Sequence, residues 1–136
     1  MVSLVRGREV WRITGAKEKS NVYYSLKDEP HKLLLFKKVN ALLTRLLHGE
    51  EKNEELFDTL TSFIDYLETN DIAKKNIISV ECLAVLRILF HLGYVGNREF
   101  LFETNEYNDE LLSIVNENQK GIINEINNAI KAVSYT

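Results

Sequence analysis

The chain has 136 residues, 45% hydrophobic and 27% charged, a balance that fits one globular domain with a modest core and argues against disorder. Thirteen aromatic residues beside six Gly and one Pro point to long regular elements and disfavour a sandwich or barrel of many short strands. A lone cysteine, Cys82, excludes a disulfide framework within the chain, and with neither a membrane-length apolar run nor a signal-peptide pattern in view the expected location is cytoplasmic.

The formal charge of −3 conceals a strong asymmetry. Residues 1–45 hold ten Lys or Arg against four acids, a net +6, and the remainder holds seven against sixteen, a net −9. Such segregation reads either as a phosphate-facing end joined to an acidic helical body or as helix faces that are simply solvated.

Ser3 to Lys17 is rich in β-prone residues interrupted by Gly7, which predicts short extended segments that need a partner to bury an apolar face. Ser20 to Leu26 reads as a further strand or one helical turn, and Lys27, Asp28 and Glu29 form a polar break. Pro30 suits the first turn of a helix, and Leu35, Val39, Leu42, Leu43 and Leu46 then repeat at helical spacing, predicting a helix over about 30–48. Its other side presents Lys37, Lys38, Arg45 and His48.

Gly49 to Lys52 is a polar loop, and Asn53 with Glu54 and Glu55 opens a second helix, to about Glu68. Its stripe is Leu56, Phe57, Leu60, Phe63, Ile64 and Leu67, and the short loop predicts that the two helices pack antiparallel. Ser79 to Leu92 is apolar except for Glu81, Arg87 and His91, the pattern of a central helix, and Gly93 ends it. Phe100 and Phe102 flank Leu101 in an expected extended or turn segment. Asn108, Asp109 and Glu110 start another helix, and Ile122, Ile123, Ile126, Ala129, Ile130 and Val133 mark a last one over about 119–133. The expected fold is mainly α: a bundle of about five helices with a short N-terminal β remnant.

Few residues are arranged for chemistry. His31, His48 and His91 stand on separate segments without a second ligand at metal-binding spacing. Cys82 has no basic neighbour in sequence and reads as a buried, inert thiol. The six glycines are isolated and form no phosphate loop, and the cluster Glu50, Glu51, Glu54, Glu55 is accounted for by a loop and a helix start. Neither catalysis, a cofactor nor a metal is expected. Arg6, Arg8 and Arg12 interleave with Trp11 in a way that suits either single-stranded nucleic acid or a solvated edge strand around a core tryptophan. Arg87, a cation within an apolar helix, either reaches the surface along its stem or pairs with an acid from another helix, the second being favoured, in a structural role.

Several stretches resemble the RecO recombination-mediator family. GREVWRITGAK (Gly7 to Lys17) is similar to the closing strands of that family's OB-fold, and the span Lys32 to Glu68 is similar to its helical pair. LAVLRILFHLGY (Leu83 to Tyr94) resembles a family helix ending in Leu-Gly-Tyr with an internal Arg, here Arg87, and INEINNAIK (Ile123 to Lys131) resembles the final helix. The resemblance implies the C-terminal end of an OB-fold-like segment over residues 1–29 and a helical domain over 30–136. It further implies DNA repair and recombination activity: binding of single- and double-stranded DNA, strand annealing, and cooperation with RecR and the single-stranded DNA-binding protein. Many members carry a cysteine zinc site after the Leu-Gly-Tyr signature; Val95 to Thr104 has no Cys, so no structural zinc is expected here. The candidate DNA contacts are Arg6, Arg8, Arg12, Lys17 and Lys19, with Lys37, Lys38 and Arg45 as an adjoining basic face, because the net charge of the remainder repels phosphate. The alternative function is a helical protein–protein interaction module with no nucleic-acid role.

Overall fold

The computed structural model describes residues 22, 24–46, 54–96 and 99–134. These residues are mainly helical and include no strand. The chain divides into two compact units, Met1–Asp71 and Ile72–Thr136. Of the expected N-terminal β remnant, residues 1–21 lie outside the described residues, and the ambiguous stretch before Lys27 is helical at residues 24–26.

The first unit contains α1 (Pro30–Leu46) and α2 (Glu54–Thr69). Pro30 opens α1, where its fixed φ suits a helix start and its missing N–H would have no partner, and the Glu29 carbonyl accepts from Lys32 N and Leu33 N, both at 3.0 Å. Leu35, Phe36, Val39, Leu43 and Leu46 are buried along one side of α1. Along α2, where Glu54 and Glu55 favour the positive end of the helix dipole, Leu56, Phe57, Leu60, Phe63 and Leu67 are buried. The two stripes meet: Phe36, Val39, Asn40 and Leu43 of α1 and Leu60, Phe63 and Ile64 of α2 line one small apolar cavity of about 10 Å3. That space admits a single water at most, so it is a packing gap rather than a ligand pocket. Burying each such Leu or Phe is worth roughly 1.5–3 kcal/mol.

The second unit is built around α3 (Ile77–His91), entered through a single 3-10 turn at Lys74–Asn76. α4 (Glu99–Phe102), α5 (Asp109–Glu117) and α6 (Gln119–Ser134) follow, and all three pack on α3. Burial on nearly every side matches its near-continuous apolar sequence: Val80 and Cys82 to Leu89 are all buried. The helix closes as a Schellman motif, with Tyr94 N donating to Leu89 O at 2.8 Å and Gly93 N to Phe90 O at 3.0 Å, Gly93 taking φ +84°. α5 begins at its expected cap, Asn108 Oδ1 accepting from Leu111 N at 2.9 Å. A single residue, Asn118, joins α5 to α6: its N–H reaches back to Ile114 O and Val115 O at 3.2 Å and its carbonyl accepts from Ile122 N at 3.0 Å. Ile122, Ile126 and Ala129 form the buried side of α6.

The segment around Leu101, expected as either extended or a turn, is a single helical turn, α4. Its reason is tertiary: Phe102 stacks on Phe90 with ring centroids 4.3 Å apart and planes within 12°, while Leu101 is buried.

A basic helix face and a buried arginine

α1 carries Lys32, Lys37, Lys38 and Arg45 over seventeen residues and no acid. Lys37, Lys38 and Arg45 are exposed, as their positions away from the apolar stripe require, so the structure brings these three sequence candidates onto the solvent side of one helix. Arg6, Arg8, Arg12, Lys17 and Lys19, and also His48, lie outside the described residues. Lys32 behaves differently. It is buried, 2% exposed, and its ammonium pairs with the Glu29 carboxylate at 3.1 Å, so it belongs to the helix start rather than to a ligand surface. Lys27, just before α1, sits 4.2 Å from the centroid of the exposed Tyr24 ring, a cation–π contact.

Arg87 is fully buried, 0% exposed. Its Nε donates to the Leu101 carbonyl at 2.8 Å, and the guanidinium carbon lies 4.8 Å from the centroid of the Tyr107 ring. Nη1 and Nη2 are buried without a hydrogen bond. The favoured carboxylate partner is therefore not what the structure holds: among the described residues no carboxylate forms an ion pair with Arg87, and a backbone carbonyl and an aromatic face take its place. Burial pushes the Arg87 pKa down, opposed by the Tyr107 phenol and by Glu106. A cation so placed is a structural brace between α3 and the segment 101–107, out of reach of any ligand.

Cys82 is buried, and burial, aided by the neighbouring Glu81 carboxylate, pushes its thiol up to about 11. A thiol so shifted carries almost no thiolate at neutral pH. His91, one turn from Arg87, packs edge-on against Phe90 with centroids 5.2 Å apart. Among the described residues no group of three or more His, Cys, Asp or Glu is placed to hold a metal ion, and no helix is long and apolar enough to cross a membrane.

Sequence reasoning missed Lys32, whose only signal is an acid three residues earlier, and Tyr107, which nothing local connects to Arg87. No family model, curated protein or solved structure matches the chain.

Proposed function

We propose that this chain is a non-catalytic, DNA-binding mediator of recombination and repair of the RecO kind, acting in the cytoplasm with RecR and the single-stranded DNA-binding protein as partners. The observation that carries the reading is the sign of α1, a seventeen-residue helix with four bases and no acid, three of whose bases are exposed. Chance solvation of a helix face tends to mix signs, whereas phosphate contact favours one. The order of the RecO-like stretches along the chain supplies the choice of DNA over other polyanions. The 1–29 segment, with its arginines and Trp11, adds a stacking and phosphate-binding strip in this reading.

Fluorescence anisotropy of a labelled oligonucleotide across a salt series tests it. The wild-type chain binds at low salt with a steep salt slope, because phosphate contacts release counterions. Replacing Lys37, Lys38 and Arg45 together by Gln weakens binding and flattens the slope by up to about three phosphate contacts' worth. Absence of binding at low salt overturns the reading and leaves the helical interaction module in its place.

A further inference from the structure

We propose that a second copy of this chain docks the acidic ridge of its α2 on the basic outward face of α1. The association itself stands apart from the DNA-binding reading; its consequence, that self-association and DNA compete for Lys37, Lys38 and Arg45, rests on that reading. α1 has four bases and no acid, and α2, with Glu54, Glu55, Asp58, Asp65 and Glu68, has five acids and no base. On α2 the exposed Glu54, Asp58, Thr61, Asp65 and Glu68 stand at i, i+4, i+7, i+11 and i+14, which at 3.6 residues per turn confines them to about 80° of arc over about 21 Å. On α1 the exposed Leu34, Lys37, Lys38, Ala41 and Arg45 fall within about 100° over about 16 Å. Each face lies opposite the buried stripe of its own helix, and the two stripes meet, so one copy turns its two charged faces away from each other. A second copy brings them together.

Phosphate contact accounts for the sign of α1 and leaves that of α2 unexplained. Helix stability favours mixed signs, with acids in the first turn, bases in the last and opposite charges three or four residues apart. The last turn of α2 holds Glu68 and no base. Glu54 with Asp58, and Asp65 with Glu68, set like charges at i, i+4 and i, i+3, which destabilises a helix. An opposite charge facing the ridge relieves that repulsion, and α1 is a helix of opposite sign and nearly equal length. The contact also has a neutral centre. Leu34, 53% exposed, lies among the bases of α1, and the midpoint of the acidic ridge is Thr61, whose hydroxyl already donates to Phe57 O at 2.9 Å. An uncharged centre within a charged rim is the usual anatomy of a protein interface. One helix on another falls short of the roughly 1,000 Å2 of a stable interface, so the association is weak and belongs to low salt. Because the two faces of one copy point apart, docking is head-to-tail and continues past the dimer.

Sedimentation equilibrium of the full chain at up to about 1 mM, which reaches even a millimolar contact, tests this. The wild-type average mass is expected to rise with concentration past the dimer at about 10 mM salt and to stay that of a monomer at about 0.5 M. Two variants reverse one face each: Lys37→Glu with Lys38→Glu and Arg45→Glu, and Asp58→Lys with Asp65→Lys and Glu68→Lys. Each alone is expected to weaken association at least about tenfold, and an equimolar mixture to regain it, because the faces of the two variants are again complementary. Leu34→Gln, which leaves charge unchanged, is expected to weaken it about threefold. Circular dichroism checks that helix content is kept; should a reversal unfold, neutral variants with Gln or Asn at the same positions carry the test. A labelled oligonucleotide is expected to disperse the association as it binds. A wild-type chain that is monomeric at low salt, face variants that associate like the wild type, or a mixture that fails to regain association overturns the docking and leaves the DNA reading standing. An oligonucleotide that binds without dispersing the association overturns the competition. Association that follows the charges, with no oligonucleotide bound at low salt, overturns the DNA reading and leaves the docking.

Discussion

Arg87 Nε donates a 2.8 Å hydrogen bond to the carbonyl oxygen of Leu101, so a fully buried cation on α3 is held by the backbone of α4. This arrangement differs from a buried ion pair in what a substitution leaves behind. Removing one member of a pair strands the other charge, at roughly 3–5 kcal/mol. Removing Arg87 strands only a neutral carbonyl, and it also relieves the desolvation of a cation with two nitrogens unpartnered.

Arg87→Met, which keeps most of the buried volume, is therefore expected to cost about 1 kcal/mol, the value of an unsatisfied carbonyl offset by the relieved charge. Arg87→Ala adds a cavity and is expected to cost about 3 kcal/mol or more. Urea midpoints at constant slope measure both. Equal costs for Met and Ala, both above about 3 kcal/mol, would show a stranded carboxylate and refute the brace described here.

Asn108 presents its side-chain oxygen to Leu111 N at 2.9 Å at the head of α5. Asn108→Ala removes that acceptor and is expected to destabilise by about 1 kcal/mol, whereas Asn108→Asp, which keeps the oxygen, stays within about 0.5 kcal/mol. Thermal melts of the two variants decide the matter, and an Ala variant as stable as the Asp one rejects the cap.

The contrast between these two sites shows what is legible in the sequence. Asn108 is readable because its cap is local, three residues from its donor. The stripes of α1 and α2 are readable because Leu43, Leu60 and Phe63 repeat with the helix period that their burial demands. The burial of Arg87 is readable from its apolar neighbours, but its acceptor is not: a backbone carbonyl fourteen residues away carries no sequence signal. The choice between an extended segment and a turn at α4 stays open in the sequence for a related reason. Phe100, Leu101 and Phe102 alternate too briefly to fix a period, and the contact that settles the turn, Phe102 on Phe90, is tertiary. Of the candidate site, the exposure of Lys37, Lys38 and Arg45 follows from periodicity, because all three fall off the apolar stripe of α1.

Two glycines separate backbone conformation from side-chain space. A Cβ at Gly93 or at Gly121 would meet no atom within 4 Å, yet Gly93 has φ +84° and Gly121 lies within α6 with no such φ. Gly93→Ala is expected to destabilise by about 1 kcal/mol, because the left-handed conformation brings its Cβ against the following carbonyl oxygen. Gly121→Ala is expected to stabilise by about 0.5–1 kcal/mol, since alanine loses less backbone entropy in a helix. Denaturant titration of both variants checks the signs, and two shifts in the same direction contradict the assignment.

Cys82 gives the fold a dependence on alkaline pH whose sign can be worked out. Its thiol is pushed from an ordinary 9.0 to about 11 by burial and by Glu81, so between these values the folded state keeps a proton that the unfolded chain releases. Stability from this group is whole below pH 9 and is lost as pH rises towards 11, a total of about 2–3 kcal/mol for two units. Lysines and tyrosines titrate in the same range, so the informative quantity is a difference. Wild type and Cys82→Ala are unfolded by urea at about pH 8 and at about pH 10.5, and the wild type is expected to lose about 2 kcal/mol more between the two than the variant does. At about pH 8 a thiol reagent should also label the native chain far more slowly than the urea-unfolded one. Equal pH losses in the two proteins, or rapid labelling of the native chain, would overturn the assignment of Cys82 to the closed core of α3.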